Sequence, residues 1–147
     1  MKVISKFLAA SSIALVVAVA LLANATPTQA EGVVVIVNKN NTQVIDRATL
    51  VKIYTGATKY WADGSPIFAL DQEENGEARN LFYADKIGKS PATIRTIWAQ
   101  IIFSGRGLPP KVAKIDDKMK QIVATNKDAI GYVRSSAADD SVRVIDF

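Results

Sequence analysis

An apolar stretch near the N-terminus separates a leader-like segment from the part of the chain that can form a globular domain. Lys2 and Lys6 precede a run of apolar residues over Phe7–Ala23, which is interrupted only by Ser11 and Ser12. A positively charged start followed by a short apolar core is typical of a secretory signal peptide. Because the run falls short of the roughly 20 residues that a membrane-spanning helix needs, we favour a cleaved leader over an anchor.

Small residues after the apolar core indicate where the leader is cut. Thr28-Gln29-Ala30 resembles the A-x-A cleavage pattern, and Ala23-Asn24-Ala25 is a rival site. Cleavage after Ala30 leaves residues 31–147, which is enough for one domain. We therefore predict a leader over residues 1–30, a single domain over residues 31–147 and export to the periplasm. The sequence has no cysteine for a lipid anchor, so we expect a soluble protein and not a lipoprotein.

The composition excludes several classes of function. The chain contains no cysteine and no histidine, which rules out disulfide frameworks, thiol nucleophiles, Cys/His zinc sites and histidine-based catalytic triads. The formal net charge is +4, and the two leader lysines supply half of it. A balance this small and mixed in sign does not indicate a nucleic-acid-binding surface.

The residues after the leader alternate between strand and helix patterns. Val33–Val37 is a β-branched apolar run typical of a strand buried on both faces. Asp46 is a favourable N-cap for a helix that ends at Gly56. Ile67–Leu70 is a second short strand, and the order strand, helix, turn, strand predicts a parallel α/β unit.

The second half of the sequence continues this alternation. One helix is predicted from Glu77 to near Gly88, and Ser90 caps another whose apolar residues repeat at helical spacing (Ile94, Ile97, Trp98, Ile101 and Ile102). Asp116 is predicted to cap a further helix. Short strands are predicted at Val112–Ile115, Ile130–Val133 and Val142–Ile145. The sequence therefore predicts an α/β domain with a central, mostly parallel sheet flanked by about four helices.

Acidic residues are the remaining candidates for catalysis or metal binding. They form three adjacent pairs, Glu73-Glu74, Asp116-Asp117 and Asp139-Asp140. Neighbouring side chains point in different directions, so we interpret the pairs as solvated and not as catalytic dyads. The stretch from Asp71 resembles the start of an EF-hand calcium loop, but Phe82 occupies the twelfth position, where a bidentate glutamate is required. We expect no metal, no cofactor and no enzymatic activity.

Two glycine-containing segments are candidates for holding an anion. The helix start at Asn75-Gly76-Glu77 offers free backbone N–H groups, although the glutamates around it make the entrance negative. The segment Ser104-Gly105-Arg106-Gly107 combines backbone N–H groups with the donors of Arg106. We favour the interpretation of this second segment as the end of a helix.

Three segments, taken in order, resemble phosphate-type periplasmic substrate-binding proteins. Ile53–Trp61 (IYTGATKYW) resembles their I-F-x-G-K-x-x-x-W stretch, and Asn126–Val133 (NKDAIGYV) resembles their x-P-G-A-I-G-Y-V stretch. Between them, Trp98–Pro110 is similar to the W-x-x-x-I-F-x-G-x-G-x-P-P region of short members that have a single lobe. The resemblance extends from about Val33 to Val133.

The resemblance implies a single lobe of a type II periplasmic-binding fold and an oxyanion ligand. In phosphate-binding relatives, an arginine and an S-G-T triplet in the loop before a helix bind the oxyanion. In the corresponding stretch Asp71–Ala78, Gly76 is retained, the arginine position is not matched, and Glu77 stands where a hydroxyl donor is expected. Arg79, one helical step further on, partly substitutes. The candidate ligand-binding residues are therefore Asn75, Gly76, Arg79 and Arg106.

Two functions follow from these features. The first is an exported, non-catalytic, substrate-binding-like domain related to the uptake of phosphate or another oxyanion. The alternative is an envelope accessory or protein-interaction module that has kept the scaffold and lost the oxyanion pocket, because an ionised Glu77 repels phosphate. The partners that we consider are a small anion such as phosphate, an envelope protein or permease, and a second copy in a homodimer.

Overall fold

A five-stranded sheet forms the centre of the fold. The computed structural model describes residues 31–147, and its strands lie in the order β3-β2-β4-β1-β5. Their bounds are β1 Val33–Val37, β2 Phe68–Asp71, β3 Lys111–Val112, β4 Ala129–Arg134 and β5 Arg143–Ile145. Strands β3, β2 and β4 pair in parallel, whereas β1 pairs antiparallel with both β4 and β5. Four strands therefore run in one direction and β1 opposes them, which confirms the predicted α/β fold.

Four α-helices accompany this sheet in the described residues. They are α1 Arg47–Tyr54, α2 Glu77–Leu81, α3 Pro91–Phe103 and α4 Asp116–Thr125. Helix α2 continues without a break into a π-helical turn over Phe82–Ile87. Strand β3 is only two residues long and begins before the predicted Val112–Ile115. In residues 31–147, no helix has both the length and the apolar character that crossing a membrane requires; the predicted leader and its cleavage sites fall outside the described residues.

The predicted parallel unit of β1, α1 and β2 is wrong. Strand β4 lies between β1 and β2, and Val35 of β1 pairs antiparallel with Tyr132 of β4 and with Ile145 of β5. Because β1 is apolar on both faces, it is stable between two neighbours in the sheet. The pattern of elements gave their kinds and order but did not specify which strands pair, and both neighbours of β1 come from the end of the chain.

Two of the predicted helix caps are confirmed and one is wrong. The Asp46 carboxylate accepts from the backbone N–H of Thr49 at 2.7 Å, and the Ser90 hydroxyl accepts from the N–H of Thr93 at 3.1 Å. Asp116 is instead the first residue of α4, because its carboxylate is bound by side chains from β2 and β4. Tertiary hydrogen bonds therefore replace the local cap at this helix.

Apolar side chains bury both faces of the sheet. Val35 and Val37 of β1 join one core cluster with Tyr54 and Phe82, and Ile36 joins the cluster on the opposite face with Met119. The ring of Phe82 stacks on that of Tyr132 with centroids 3.8 Å apart. Helices α1 and α3 and the π-helical turn therefore cover one face, and α4 covers the other.

The close approach of α1 to α3 depends on a glycine. Gly56, just after α1, has φ +73°, a left-handed conformation that glycine adopts without strain. A Cβ atom at this position would lie 2.6 Å from Cδ1 of Ile101 and 3.0 Å from the ring of Trp98. Trp98 also donates its indole N–H to the carbonyl of Tyr54 at 3.0 Å, which fixes the two helix ends together.

Candidate functional site

The loop between β2 and α2 lies at the carboxyl end of the parallel strands, the edge at which open α/β sheets bind ligands. Two of the predicted ligand-binding residues belong to this loop. Asn75 is exposed and has φ +67°, in the left-handed region that asparagine tolerates better than most residues. Gly76 follows it as the N-cap of α2.

The start of α2 has no side-chain cap. Gly76 makes no cap hydrogen bond, since it has no side chain, and its own N–H donates to the carbonyl of Glu73 at 3.1 Å. The first backbone N–H groups of any α-helix lack intrahelical acceptors. The N–H groups at the beginning of α2 are therefore suited to an external acceptor, as the sequence predicted.

Arg79 is buried against the sheet. It is 7% exposed, its Nε lies 3.1 Å from Oδ2 of Asp71, and its guanidinium carbon lies 4.8 Å from the centre of the Tyr83 ring. Its Nη1 is buried and has no hydrogen-bond acceptor among residues 31–147. Burial disfavours the charged guanidinium, but the attraction to Asp71 outweighs it, and the pKa of Arg79 is raised.

The Asp71 carboxylate accepts hydrogen bonds from several buried donors. Tyr83 donates its hydroxyl to Oδ2 at 2.8 Å, and Tyr132 donates its hydroxyl to Oδ1. The backbone N–H of Gln72 also donates to Oδ1, at 2.8 Å. Burial, together with the adjacent Asp71 charge, raises the pKa of both tyrosine hydroxyls well above the ordinary value. Asp71 is therefore an anion that the fold itself surrounds with donors.

A second polar group connects the same sheet edge to α4. The side-chain amide of Gln72 donates to Asp116 at 2.8 Å and to the carbonyl of Tyr132 at 3.1 Å. Nε of Arg134, the last residue of β4, lies 2.8 Å from the other oxygen of Asp116. Asp116 is 6% exposed, so its interpretation as a solvated residue is wrong.

The other loop acids are exposed at the rim of this edge. Glu74 pairs with Arg95 at 2.8 Å, and Glu73 pairs with Lys114 at 3.8 Å. Exposed pairs of this kind contribute little to stability. Glu77, in the first turn of α2, is also exposed and adds a negative charge close to the uncapped N–H groups.

Arg106 lies in a different part of the fold. It follows α3, its Nε donates to the Ser104 hydroxyl at 2.8 Å, and its carbonyl accepts a hydrogen bond from the Lys59 amino group. It lines a cavity of about 470 Å³ together with Lys59 and Gly56. The structure thus brings Asn75, Gly76 and Arg79 together around one loop, and places Arg106 beside Lys59 instead.

Sequence reasoning did not identify Asp71, Tyr83 and Tyr132 as parts of this site. One signal was present: Tyr83 follows Arg79 by four residues, which brings the two side chains to the same side of a helix. The arrangement holds hydrogen-bond donors, one paired cation and buried hydroxyls. Within residues 31–147, no three acidic side chains are placed to hold a metal ion. Such a set of groups binds and orients an anion.

Comparison with known proteins gives one family. The sequence model of the PBP superfamily domain matches residues 18–144. No curated protein matches the chain.

Several solved structures are similar to this fold. An ABC-type phosphate transport receptor from Vibrio cholerae superimposes with a TM-score of 0.62 at 23% identity, over 80% of this chain and 46% of the receptor. A phosphate-bound protein from Clostridium perfringens gives 0.64 at 23% identity, over 78% of this chain and 44% of its own. PstS from Borrelia burgdorferi gives 0.59 at 14% identity, over 78% and 46% respectively. The chain thus spans less than half the length of each, and at these identities the likeness concerns the fold.

Proposed function

This chain belongs to the PBP superfamily, and from that premise we propose that it is a non-catalytic binding domain that holds a small oxyanion such as phosphate. The ligand lies at the loop before α2, where it accepts hydrogen bonds from Arg79 and from the backbone at Asn75 and Gly76. A chain that spans less than half of its structural neighbours is suited to a single lobe. The proposal includes cleavage of the leader and a periplasmic location.

The observation that carries this proposal is the buried Nη1 of Arg79, which has no acceptor among residues 31–147. Buried arginine donors in folded proteins are nearly always hydrogen-bonded, because an unsatisfied one retains the cost of desolvation. A tetrahedral oxyanion accepts from a guanidinium and from backbone N–H groups at the same time. The bound phosphate in the Clostridium perfringens structure supports this ligand class.

Two acidic residues limit the affinity of this site. Asp71 already neutralises Arg79, with Nε and Oδ2 only 3.1 Å apart. Glu77 places a further carboxylate in the first turn of α2, where it competes with an anion for the positive end of the helix. We therefore expect phosphate binding to be weak and to strengthen when Glu77 loses its charge.

Isothermal titration of the purified protein with phosphate and with sulfate tests the proposal. Glu77→Gln is expected to raise the affinity for phosphate about three- to tenfold, since it removes a like charge at an exposed position. Asp117→Asn is the matched control, because Asp117 is an exposed acid in the first turn of a different helix, α4. Absence of heat with both anions, in the wild type and in Glu77→Gln, would contradict oxyanion binding.

The pairing of Arg79 with Asp71 also favours a second candidate, an envelope accessory module that binds another protein. In this case the internal carboxylate takes the place of a ligand, and the site serves only to stabilise the lobe. A permease or a second copy of the chain is then the partner. Affinity capture with the wild-type protein from envelope extract separates the candidates: a retained protein together with silent anion titrations supports the second one.

A further inference from the structure

A groove lies at the opposite edge of the sheet from Asp71. It is formed by the amino ends of β2 and β3, the end of α1, and the segment after α3. A cavity of about 350 Å³ occupies it, and its lining includes Ile53, Phe68, Trp98, Leu108, Pro109 and Pro110. Phe68 begins β2, and Asp71 ends it. The groove is therefore separate from the proposed oxyanion site.

Large apolar side chains are exposed around this groove. Leu108 and Tyr60 line it and are 82% and 63% exposed. At the end of α3, Phe103 is 92% exposed and Ile102, predicted to face inward, is 46% exposed. Contiguous apolar surface of this kind on a small domain marks an interaction site.

The charge around the groove is positive. Lys59 and Lys111 line it, and the adjacent 470 Å³ cavity shares Lys59 and adds Arg106. Within residues 31–147, none of these three cations forms an ion pair with a carboxylate. No acidic residue occurs in the segments 47–62 and 86–115, which build this face.

The cations are held in place by neighbouring groups. The Lys59 amino group donates to the carbonyl of Arg106, and the Lys111 amino group lies 5.3 Å from the centre of the Phe68 ring. Ordered side chains lose less conformational entropy on binding than mobile ones. The face is thus prepared for a negatively charged partner.

We propose that this groove docks an acidic segment of a partner protein, with a large apolar side chain seated in the cavity and carboxylates beside Lys59 and Lys111. The charge pattern selects the partner, since rim charges set specificity and the rate of association. The apolar cavity supplies the anchor, as buried apolar residues do in other interfaces. Pro109 and Pro110 have no N–H groups, so they disfavour recognition by addition of a β-strand at this edge.

Fluorescence anisotropy of the full-length protein with two labelled peptides tests the proposal. One peptide carries a Phe-Leu pair flanked by glutamates and aspartates, and the other has lysines in place of the acids. We expect the acidic peptide alone to bind, and the double variant Lys59→Glu/Lys111→Glu to weaken binding at least tenfold. Lys118→Glu is the matched control, because Lys118 is exposed on α4, which covers the other face of the sheet.

Four results would overturn the proposal. They are equal affinity for both peptides, no binding of the acidic peptide up to about 1 mM, binding only to phosphatidylglycerol vesicles, and a concentration-dependent dimer that Leu108→Ser abolishes. The vesicle result would identify a membrane surface, and the dimer would identify a second copy. The charge-reversal variant leaves Arg79 intact, so its phosphate titration is expected to match that of the wild type.

Discussion

Nε of Arg79 lies 3.1 Å from Oδ2 of Asp71, and their side chains are only 8% and 9% exposed. Asp71 also accepts from two tyrosine hydroxyls and from a backbone N–H, so its carboxylate is surrounded by donors. Such a pair contributes little net stability compared with well-packed apolar residues, but losing one member leaves an uncompensated buried charge. The pair therefore links the stability of the lobe to the charge available for a ligand.

Asp71→Asn is expected to destabilise the fold and to strengthen anion binding together. The substitution leaves Arg79 charged, buried and without its counterion, which costs about 3 kcal/mol of unfolding free energy. The uncompensated guanidinium then attracts phosphate more strongly. Urea denaturation and isothermal titration measure the two effects, and Asp85→Asn at an exposed position is the control. Unchanged stability would show that the pair is not a structural determinant.

The two buried tyrosines are expected to stabilise the Asp71 carboxylate as a unit. Tyr83→Phe and Tyr132→Phe each remove one hydroxyl donor from Asp71, and each is expected to lower the free energy of unfolding by about 1–2 kcal/mol. Because both act on one carboxylate, the double variant is expected to depart from the sum of the single effects. Tyr60→Phe, at a 63% exposed position, is expected to have no effect. Chemical denaturation of the four variants measures this coupling.

Alkaline pH is expected to destabilise the protein through its buried tyrosines. Burial raises the pKa of Tyr54, Tyr83 and Tyr132, three of the four tyrosines in the chain. In the unfolded chain these hydroxyls ionise near pH 10. The unfolded state then binds fewer protons than the native state, so stability is fully present below about pH 10 and falls as the pH rises above it.

Unfolding measured at several alkaline pH values, together with the ultraviolet absorbance of tyrosinate, tests this dependence. Ionisation of the three buried tyrosines is expected to appear as a steep step that coincides with loss of helical circular dichroism. A gradual titration of all the tyrosines near pH 10 in a protein that remains folded would contradict it.

Local patterns predicted most elements of the fold. The apolar run Val33–Val37 coincides with β1, and Asp46 and Ser90 begin helices because their side chains accept nearby backbone N–H groups. These signals depend on residues a few positions apart. The pairing of β1 with β4 and β5 depends on the end of the chain, and nothing in the local pattern of β1 encodes it.

The candidate site was less predictable than the fold. The sequence placed Asn75, Gly76 and Arg79 near one helix start, because they are adjacent in the chain. It gave no indication that Asp71 is paired with Arg79, or that Tyr132 reaches Asp71 across 61 positions. It also grouped Arg106 with the ligand residues, whereas the fold places that residue beside Lys59. Contacts of long sequence separation decide which charges are neutralised, and a single sequence does not specify them.

Gly56→Ala is expected to destabilise the contact between α1 and α3. Gly56 has φ +73°, and a new Cβ would lie 2.6 Å from Cδ1 of Ile101 and 3.0 Å from Trp98. Gly64 is the matched control, since its φ is +85° and nothing lies within 4 Å of its Cβ position. Gly64→Ala is expected to cost about 1–2 kcal/mol for the left-handed backbone alone. Gly56→Ala adds the cost of overpacking, a further 1–3 kcal/mol or so.

The difference between the two variants isolates the packing contribution, because both share the same backbone strain. Thermal and urea denaturation measure it, and the fluorescence of Trp98 is expected to change only in Gly56→Ala. Because Gly56 and Trp98 line the groove beside Lys59, displacement of α3 is also expected to weaken binding of the acidic peptide. Equal destabilisation in the two variants would mean that Ile101 and Trp98 move aside freely, and that the helix ends do not hold the groove in a fixed shape.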